Sequence, residues 1–139
     1  MSKISKPSSA NQEWYFEDYQ EDTVIEMGPV YVEEDELIEF ALRYDPQPMH
    51  IDPEAAKTGP YKGLIASGWQ TCALVMGELV KNYFSPSSSL GSPGIDELQW
   101  LRPVRPGDRL TVRATILETK RSRSKPDSCL LYTSDAADE

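Results

Sequence analysis

The stretch that decides the fold is "LIASGWQTCALVMGELVKNYF", residues 64–84. Its apolar side chains recur at the 3.6-residue spacing of an α-helix, and further small or branched apolar residues widen the stripe beyond one narrow face. A helix that is apolar on most faces is a core helix, so this stretch predicts one long buried helix. The positions that keep the spacing are Trp69, Cys72, Ala73, Met76, Leu79, Val80 and Tyr83.

Strand patterns lie on both sides of this helix. Residues 23–32, "TVIEMGPVYV", are rich in β-branched residues, and residues 108–120, "DRLTVRATILETK", alternate apolar with polar side chains. Residues 95–104, "IDELQWLRPV", are also expected to form a strand, joined to 108–120 by the tight turn "RPGD". The predicted fold class is therefore α+β, with an antiparallel sheet curled around one central helix.

A second, shorter helix is predicted before the core helix. In "EEDELIEFALRYD", residues 33–45, apolar residues fall at helical spacing and three acidic residues lie in the first turn, where the helix dipole favours them. The helix is expected to end near Tyr44, because Pro46 moves Asp45 out of the α region. In "DPEAAK", residues 52–57, Asp52 is expected to cap one more helical turn.

Composition bounds the class of protein. The chain has 139 residues, the length of one domain, and a formal net charge of −9, which argues against binding to nucleic acid. No apolar run approaches the ~20 residues of a membrane span, and the N-terminus has no apolar stretch typical of a secretory signal. Two cysteines without a framework spacing indicate reduced thiols, so a cytoplasmic location is expected.

The sequence of the last residues indicates an origin different from that of the rest of the chain. "CLLYTSDAADE", Cys129–Glu139, reads codon by codon as one frame of the adapter DNA used in transposon-based sequencing libraries. Residues 1–13 are expected to form a flexible arm, 14–127 a single domain, and 128–139 an adapter read-through that is not native. On this interpretation the native sequence continues beyond Asp127, and the sheet lacks its last two strands.

The only histidine lies in "RYDPQPMHID", residues 43–52. Five fully extended residues would place Asp45 and His50 about 16 Å apart, too far to share a water molecule. The two prolines restrict the backbone between them, and a bend there is expected to bring the carboxylate and the ring within about 6 Å. The alternative is that His50 lies on the surface of a turn or caps a helix.

Three motifs together resemble the MaoC-like acyl dehydratases, which include (R)-specific enoyl-CoA hydratases. The hydratase motif of that family, an Asp followed by x-Asn-Pro-x-His, stands here as "DPQPMH", residues 45–50, with Gln47 in place of Asn. Ser67-Gly68 matches the glycine element at the start of the central helix, and "PVRPGD", residues 103–108, matches a turn between strands. The resemblance covers residues 14–127 and implies the hot-dog fold, usually dimeric.

The resemblance also implies a reaction, the reversible addition of water to a trans-2-enoyl thioester. It implies that Asp45 and His50 act as the acid and base. The N–H of Gly68 is unpaired at the first turn of the predicted helix and lies at the positive end of its dipole, so it is a candidate donor to the thioester oxygen; the alternative is that Gly68 serves close packing of the helix on the sheet. An acyl-CoA or similar acyl thioester would be the substrate, with no cofactor and no metal, and a homodimer is expected. The candidate substrate-binding residues are Ser67, Trp69 and Met76, the last where many hydratases have a serine.

Two other functions remain open at this point. A hot-dog thioesterase would carry its carboxylate on the central helix, where the only acid is Glu78. A non-catalytic subunit of a hydratase heterodimer would supply half of a pocket to an active homologue. The acid and the histidine in the upstream loop favour hydration over both.

Other reactive residues receive structural interpretations. Cys72 is interpreted as a small core residue rather than a nucleophile. One histidine with nearby carboxylates is weak support for a metal site. Four basic residues could meet coenzyme A phosphates, but are interpreted as ordinary surface charge. They are Lys57, Lys62, Arg102 and Arg105.

Overall fold

The computed structural model describes residues 3–5, 14–125 and 129–138, with side chains described for 14–125. Its elements follow one another in an α+β order, as the sequence predicts. They are β1 (Lys3–Ser5), a short 3₁₀ helix (Phe16–Asp18), β2 (Thr23–Tyr31), α1 (Glu34–Tyr44), α2 (Pro48–Ile51), α3 (Pro53–Lys57), α4 (Gly68–Asn82), β3 (Arg109–Arg121) and β4 (Cys129–Asp138).

The chain divides into two compact units that alternate along the sequence. The first unit comprises Met1–Pro29, Gly77–Gly91 and Thr111–Asp138, and the second comprises mainly Val30–Met76 and Ser92–Leu110. Asp45, His50 and Gly68 all belong to the second unit, so the candidate site lies within one compact body.

The strands pair in the order β1-β2-β3-β4. β1 runs parallel to β2, and β3 runs antiparallel to β4 over a register that extends from Thr111↔Asp138 to Arg121↔Cys129. Along β3 the side chains of Leu110, Val112, Ala114 and Ile116 are all buried and alternate with more exposed neighbours. The predicted strand with one buried face is therefore confirmed.

The first unit contains a buried aromatic pair. Tyr19 and Tyr83 meet edge to face with ring centroids 5.2 Å apart, and the Tyr19 hydroxyl donates to the Tyr83 carbonyl at 2.6 Å. Burial, with a smaller effect of the Asp18 charge, raises the pKa of Tyr19 to about 12. Tyr19 therefore stays a neutral hydrogen-bond donor at physiological pH.

The second unit positions the site through α1 and the loop before α4. Leu37 of α1 is fully buried in a cluster with Val32, Ala66 and Leu110. α1 ends at Tyr44, next to Asp45 and Pro46, as predicted, and the Asp52 carboxylate caps α3 by accepting from two backbone N–H groups. The core thus fixes the end of the helix from which Asp45 projects.

One strand prediction is wrong. Residues 95–104, expected as a strand, have no regular structure, and Leu101 is 84% exposed. Strand preference reflects packing against neighbouring strands, and this segment packs few of its side chains. The turn at Arg105–Asp108 is present, with Gly107 in the left-handed region at φ 88°, and it leads directly into β3.

The tail forms a strand. Cys129–Asp138, which the codon pattern places outside the native domain, pairs along β3 as β4. An edge strand offers free backbone groups to any extended segment that follows it, so pairing does not depend on where those residues come from. The adapter origin of the tail, and the domain boundary at 127, stay predictions.

The central helix, α4, leaves one apolar face uncovered in the single chain. It begins at Gly68 and ends at Asn82, within the predicted stretch. Leu79 is buried, whereas four apolar side chains at alternating spacings of four and three residues are exposed. These four, the exposed stripe, are Trp69, Ala73, Met76 and Val80.

Ile116 and Leu117 provide a matched test of the sheet core. Ile116 is 1% exposed and Leu117 is 55% exposed. Ile116→Ala is expected to lower the free energy of unfolding by about 3 kcal/mol, because it removes buried methylenes and leaves a cavity. Leu117→Ala should cost less than about 1 kcal/mol. Urea unfolding followed by tryptophan fluorescence measures both, and equal losses would contradict the burial pattern of β3.

Candidate active site

The segment from Asp45 to His50 bends sharply. The N–H of Gln47 donates to the Asp45 carbonyl at 2.8 Å, closing a tight turn around Pro46, and the N–H of His50 donates to the Gln47 carbonyl at 2.8 Å. Pro48 then begins the short helix α2, where its fixed φ is suited to a first helical position. The segment therefore folds back on itself, and this bend allows Asp45 and His50 to lie close together.

His50 is buried, and each of its ring nitrogens faces an oxygen atom. The residue is 3% exposed, its Nδ1 lies 2.7 Å from the Ile65 carbonyl oxygen, and its Nε2 lies 3.3 Å from Oδ2 of Asp45. The approach of the carboxylate and the ring is within the 6 Å expected from the sequence. The alternative of a surface histidine on a turn does not fit this burial.

The Ile65 carbonyl fixes the tautomer of His50. A carbonyl oxygen can only accept, so Nδ1 carries a hydrogen and the second nitrogen of a neutral ring, Nε2, is left with its lone pair. That lone pair faces a carboxylate oxygen of Asp45, which is also an acceptor. The edge between Nε2 and Oδ2 therefore attracts a proton or a bound O–H donor, which is what a general base needs.

Asp45 is kept ionised by neutral donors. The Gln47 side-chain amide donates to Oδ1 at 2.8 Å, and the Ser67 hydroxyl donates to Oδ2 at 2.7 Å. The Gln47 bond, followed by the Ser67 bond and the charge of His50, holds the pKa of Asp45 below its ordinary value, against a partial opposing effect of burial. Gln47, which stands where the family motif has Asn, thus anchors the carboxylate.

Ser67 connects this carboxylate to the start of α4. Its side chain is fully buried, and its Oγ also accepts from the Trp69 N–H at 3.3 Å. Its carbonyl accepts from the N–H groups of Gln70 at 2.9 Å and Thr71 at 3.2 Å. Ser67 therefore satisfies two of the N–H groups that a helix leaves unpaired at its beginning, those of Trp69 and Gln70, while the Thr71 N–H makes the first regular intrahelical bond.

Another N–H of that turn belongs to Gly68, the first residue of α4. Among the residues that the structure describes, it has no acceptor. The indole of Trp100 packs directly on Gly68, and its Nε1 donates to the Gly68 carbonyl at 3.1 Å. A Cβ at position 68 would come within 2.4 Å of the Trp100 ring, so the close packing of this ring requires glycine.

A family model described as a MaoC like domain matches residues 16–135 of this sequence. The chain belongs to the MaoC-like family. The match includes the Asp45–His50 segment, the whole of α4 and both long strands β2 and β3. The resemblance to MaoC-like proteins that three short motifs indicate is thereby confirmed.

Known relatives agree with this family and with the fold. A crystal structure of the MaoC-like dehydratase from Rhodospirillum rubrum superimposes with a TM-score of 0.82 and 35% identity, covering 89% of this chain and 84% of that chain. The unliganded (R)-hydratase PhaJ1 from Pseudomonas aeruginosa has a TM-score of 0.60 and 21% identity, covering 89% of each chain. The second likeness concerns the fold alone, and together they confirm the predicted hot-dog fold.

A curated relative has no assigned activity. The uncharacterised protein YdeM of Bacillus subtilis is 31% identical over 94 residues, which cover 68% of this chain and 67% of that protein. The matched region thus spans about two thirds of the length of this relative.

Other predicted site residues of the MaoC-like domain lie on its surface. Trp69 is 57% exposed and Met76 is 48% exposed, both on the exposed stripe of α4. The ring of Trp69 meets that of Trp100 edge to face at 5.4 Å. Their role in substrate binding stays a prediction, whereas Ser67 contacts the carboxylate directly. Cys72 is partly buried in α4.

Three features of the site have no clear signal in the sequence. The Ile65 carbonyl that orients His50 is a backbone group, which any residue type would supply. Trp100 reaches Gly68 from a segment predicted as a strand. Gln70 is 3% exposed, and its Oε1 accepts no hydrogen bond within the described part of the chain.

Among the described residues, no three His, Cys, Asp or Glu side chains gather as metal ligands.

Removal of the Gln47 amide should raise the pKa of Asp45. Because the folded pKa is below the unfolded one, ionised Asp45 stabilises the protein above that unfolded pKa, and this contribution disappears as the pH falls through the folded pKa. In Gln47→Ala we expect a higher carboxyl pKa by NMR titration and less loss of stability on acidification. Gln99→Ala is the control, since Gln99 donates to Glu97 in the same way at 2.7 Å. An unchanged Asp45 titration in Gln47→Ala would contradict this cause of the shift.

The contact between Gly68 and Trp100 can be tested by a double-mutant cycle. Gly68→Ala alone is expected to destabilise the protein by about 1–3 kcal/mol, because the added methyl overlaps the indole. In a Trp100→Ala background the same change should cost clearly less, giving a coupling of about 1 kcal/mol or more. Thermal unfolding of the four proteins measures it. Additive effects would show that the ring does not restrict position 68.

Proposed function

We propose that this protein catalyses the reversible hydration of trans-2-enoyl thioesters to (3R)-3-hydroxyacyl thioesters. The observation that carries the proposal is the buried pair of Asp45 and His50, 3.3 Å apart, with the free nitrogen of the ring directed at the carboxylate. The family supports a dehydratase, and a solved structure of the same fold is an (R)-hydratase. The stereochemistry and the thioester belong to the proposal.

The pair would hold the water and move its proton. Water bound at the edge between Nε2 and Oδ2 gives a proton to this pair while its oxygen attacks C3 of the substrate. The electrons of the double bond move to the thioester oxygen, and C2 then takes a proton from the pair, which restores its starting state. With its lowered pKa, Asp45 is suited to orient the water and to stabilise the imidazolium form of His50.

The start of α4 would stabilise the negative charge that develops on the thioester oxygen. The Gly68 N–H lies at the positive end of the helix dipole and has no acceptor in the described chain. Oriented backbone donors of this kind typically contribute the largest part of such stabilisation. The same Ser67 that caps the helix also donates to Asp45, so the donor and the acid–base pair are held in one hydrogen-bonded network.

The thioesterase alternative depends on Glu78. This carboxylate accepts from the Asn82 side chain at 3.1 Å and lies 3.9 Å from the Lys81 ammonium, all within α4. A carboxylate engaged by neighbours on its own helix is less suited to activate water than the Asp45–His50 pair. A non-catalytic subunit would not need that pair at all, so its geometry favours a catalytic chain.

We also propose that the active form is a homodimer. The exposed stripe of α4 presents apolar side chains to solvent, among them Trp69 and Met76 at about half exposure. A contiguous apolar face of this kind is typical of a surface that another chain covers. A second copy of this chain, which presents the same stripe, is a self-complementary occupant for it.

Substitution of the pair tests the activity. Asp45→Asn and His50→Ala should each lower kcat for hydration of crotonyl-CoA by about 10²–10⁴-fold, the usual contribution of a positioned acid or base. The absorbance of the conjugated enoyl thioester measures the rate. Asp96→Asn, in the exposed 95–104 segment, is the matched control and should leave the rate unchanged. Full activity in either site variant, with native circular dichroism, would exclude the proposed roles.

A further inference from the structure

Gln70 carries a polar group on the inner face of α4. The residue is 3% exposed, and within the residues that the structure describes its Oε1 accepts no hydrogen bond. Leu74, one turn further along the helix, packs against the buried cluster around Leu37. Residues four apart share one face of a helix, so Gln70 places an amide on a face that otherwise packs against the apolar core.

An acceptor in this position costs stability. On folding it loses its hydrogen bonds to water, and no hydrogen bond within the protein compensates for them. The other buried polar side chains of the second unit, His50 and Ser67, are both hydrogen-bonded. Within Val30–Met76 and Ser92–Leu110, Oε1 of Gln70 is thus the one buried side-chain acceptor without a donor. Its cost is offset only when a donor binds there.

Helix capping does not supply that donor. Residues 67–70, "SGWQ", have the sequence of a capping box, in which the side chain of the fourth residue accepts from the backbone N–H of the first. In the structure this bond is not formed, and the Ser67 N–H has no acceptor among the described residues. The Ser67 hydroxyl donates instead to Asp45, at 2.7 Å. Gln70 therefore does not act as a partner in the cap of α4.

The direction of helical side chains brings this amide toward the candidate site. Long side chains on a helix point back toward its N-terminus, over the preceding turn. That turn begins at Ser67, whose carbonyl accepts from the Gln70 N–H at 2.9 Å and whose hydroxyl donates to Oδ2 of Asp45 at 2.7 Å. The Cβ atoms of residues three apart are about 5–6 Å from each other, and Oε1 lies three bonds beyond its Cβ. One bound water molecule or hydroxyl group can therefore connect Oε1 with that carboxylate.

The proposed hydration contains a hydrogen that needs an acceptor of this kind. One hydrogen of the attacking water passes to the Asp45–His50 pair, and the other stays on the oxygen and becomes the hydrogen of the 3-hydroxyl group. Oδ2 of Asp45 already accepts from Ser67 and faces Nε2 of His50. The Ile65 carbonyl is engaged by Nδ1 of the same ring. The reacting carbons of an enoyl thioester carry no O–H or N–H, so the donor for Gln70 arrives with the water.

We propose that Oε1 of Gln70 accepts the hydrogen that the attacking water retains and, after the addition, the same hydrogen on the 3-hydroxyl group of the product. This inference rests on the proposed hydration activity and adds to it the residue that orients the water. With one hydrogen held by the pair and the other by Gln70, the oxygen lone pair is left to face C3 of the substrate. The same bond distinguishes a 3-hydroxyacyl thioester, which has the O–H donor, from an enoyl thioester, which does not.

Kinetics in both directions test this role. Gln70→Met keeps the length of the side chain and removes the acceptor. It should lower kcat/KM by about 3–10-fold, the value of one hydrogen bond, and equally in both directions, because the equilibrium between substrate and product fixes their ratio. For crotonyl-CoA the loss should lie in kcat with KM unchanged, and for (3R)-3-hydroxybutyryl-CoA in KM with kcat unchanged. Gln20→Met, at an exposed position, is the matched control and should match the parent chain.

Thermal unfolding of the free chain separates this role from a structural one. Since Gln70→Met removes a buried acceptor that has no donor, the variant should melt at or above the temperature of the parent chain. A lower melting temperature, or failure to fold, would mean that the amide stabilises the free protein, as a capping or core residue does. That result would overturn the proposal whatever the kinetics of the variant.

The kinetic outcomes also separate this proposal from the hydration it rests on. If the parent chain does not hydrate crotonyl-CoA, the hydratase function fails and the role of Gln70 fails with it. If the parent is active and Gln70→Met has the same constants, hydration stands and the role of Gln70 alone is overturned. A higher KM for both thioesters with kcat unchanged in both directions would assign Gln70 to a group that substrate and product share, such as an amide of the thioester arm, and would also overturn the proposal.

Discussion

The hydrogen bond from the Ser67 hydroxyl to Oδ2 of Asp45, 2.7 Å long, holds the candidate site together. It joins two segments 22 residues apart, and the same carboxylate oxygen faces His50. A hydrogen bond to a charged group contributes about 1.5–3 kcal/mol. Because Ser67 also caps α4, the geometry of the Asp45–His50 pair depends on the helix beginning at Gly68.

The carboxylate at the centre of this network is stabilised mainly by polar neutral groups. Gln47 and Ser67 supply two N–H or O–H donors, and neither adds a net charge to the site. A lysine or arginine in the same place would also keep the Asp45 carboxylate ionised. It would, however, add a positive charge beside His50 and compete with that ring for the carboxylate. Because both donors are neutral, the imidazole of His50 is the ionisable group that faces the carboxylate, with Nε2 3.3 Å from Oδ2.

Much of the fold follows from local patterns. The C-terminal end of α1 depends on Pro46, and the N-terminal cap of α3 depends on Asp52. Both residues act over only a few positions along the chain. β3 and α4 have periodic apolar positions over more than ten residues, and such patterns are the most reliable signals in a sequence. Residues 95–104 also carry several large apolar side chains, but a strand needs a partner, and the sequence does not say whether one is present.

The site divides in the same way. Asp45 and His50 are predictable from the sequence because two prolines and a short spacing limit what the backbone between them can do. The Ile65 carbonyl and the Trp100 ring are not, since both act across long sequence distances, the first through a backbone atom and the second through packing. Gln47 stands in the sequence only as a departure from the family motif, and in the structure it is the donor to Oδ1 of Asp45.

The edge-to-face pair of Trp69 and Trp100 at the start of α4 has a spectroscopic consequence. Two indoles with centroids 5.4 Å apart couple their electronic transitions, and the resulting circular dichroism band depends on the angle between the rings. The chain contains three tryptophans in all. Because Trp100 also donates to the Gly68 carbonyl, the optical signal of the pair reports directly on the backbone of the first helical turn.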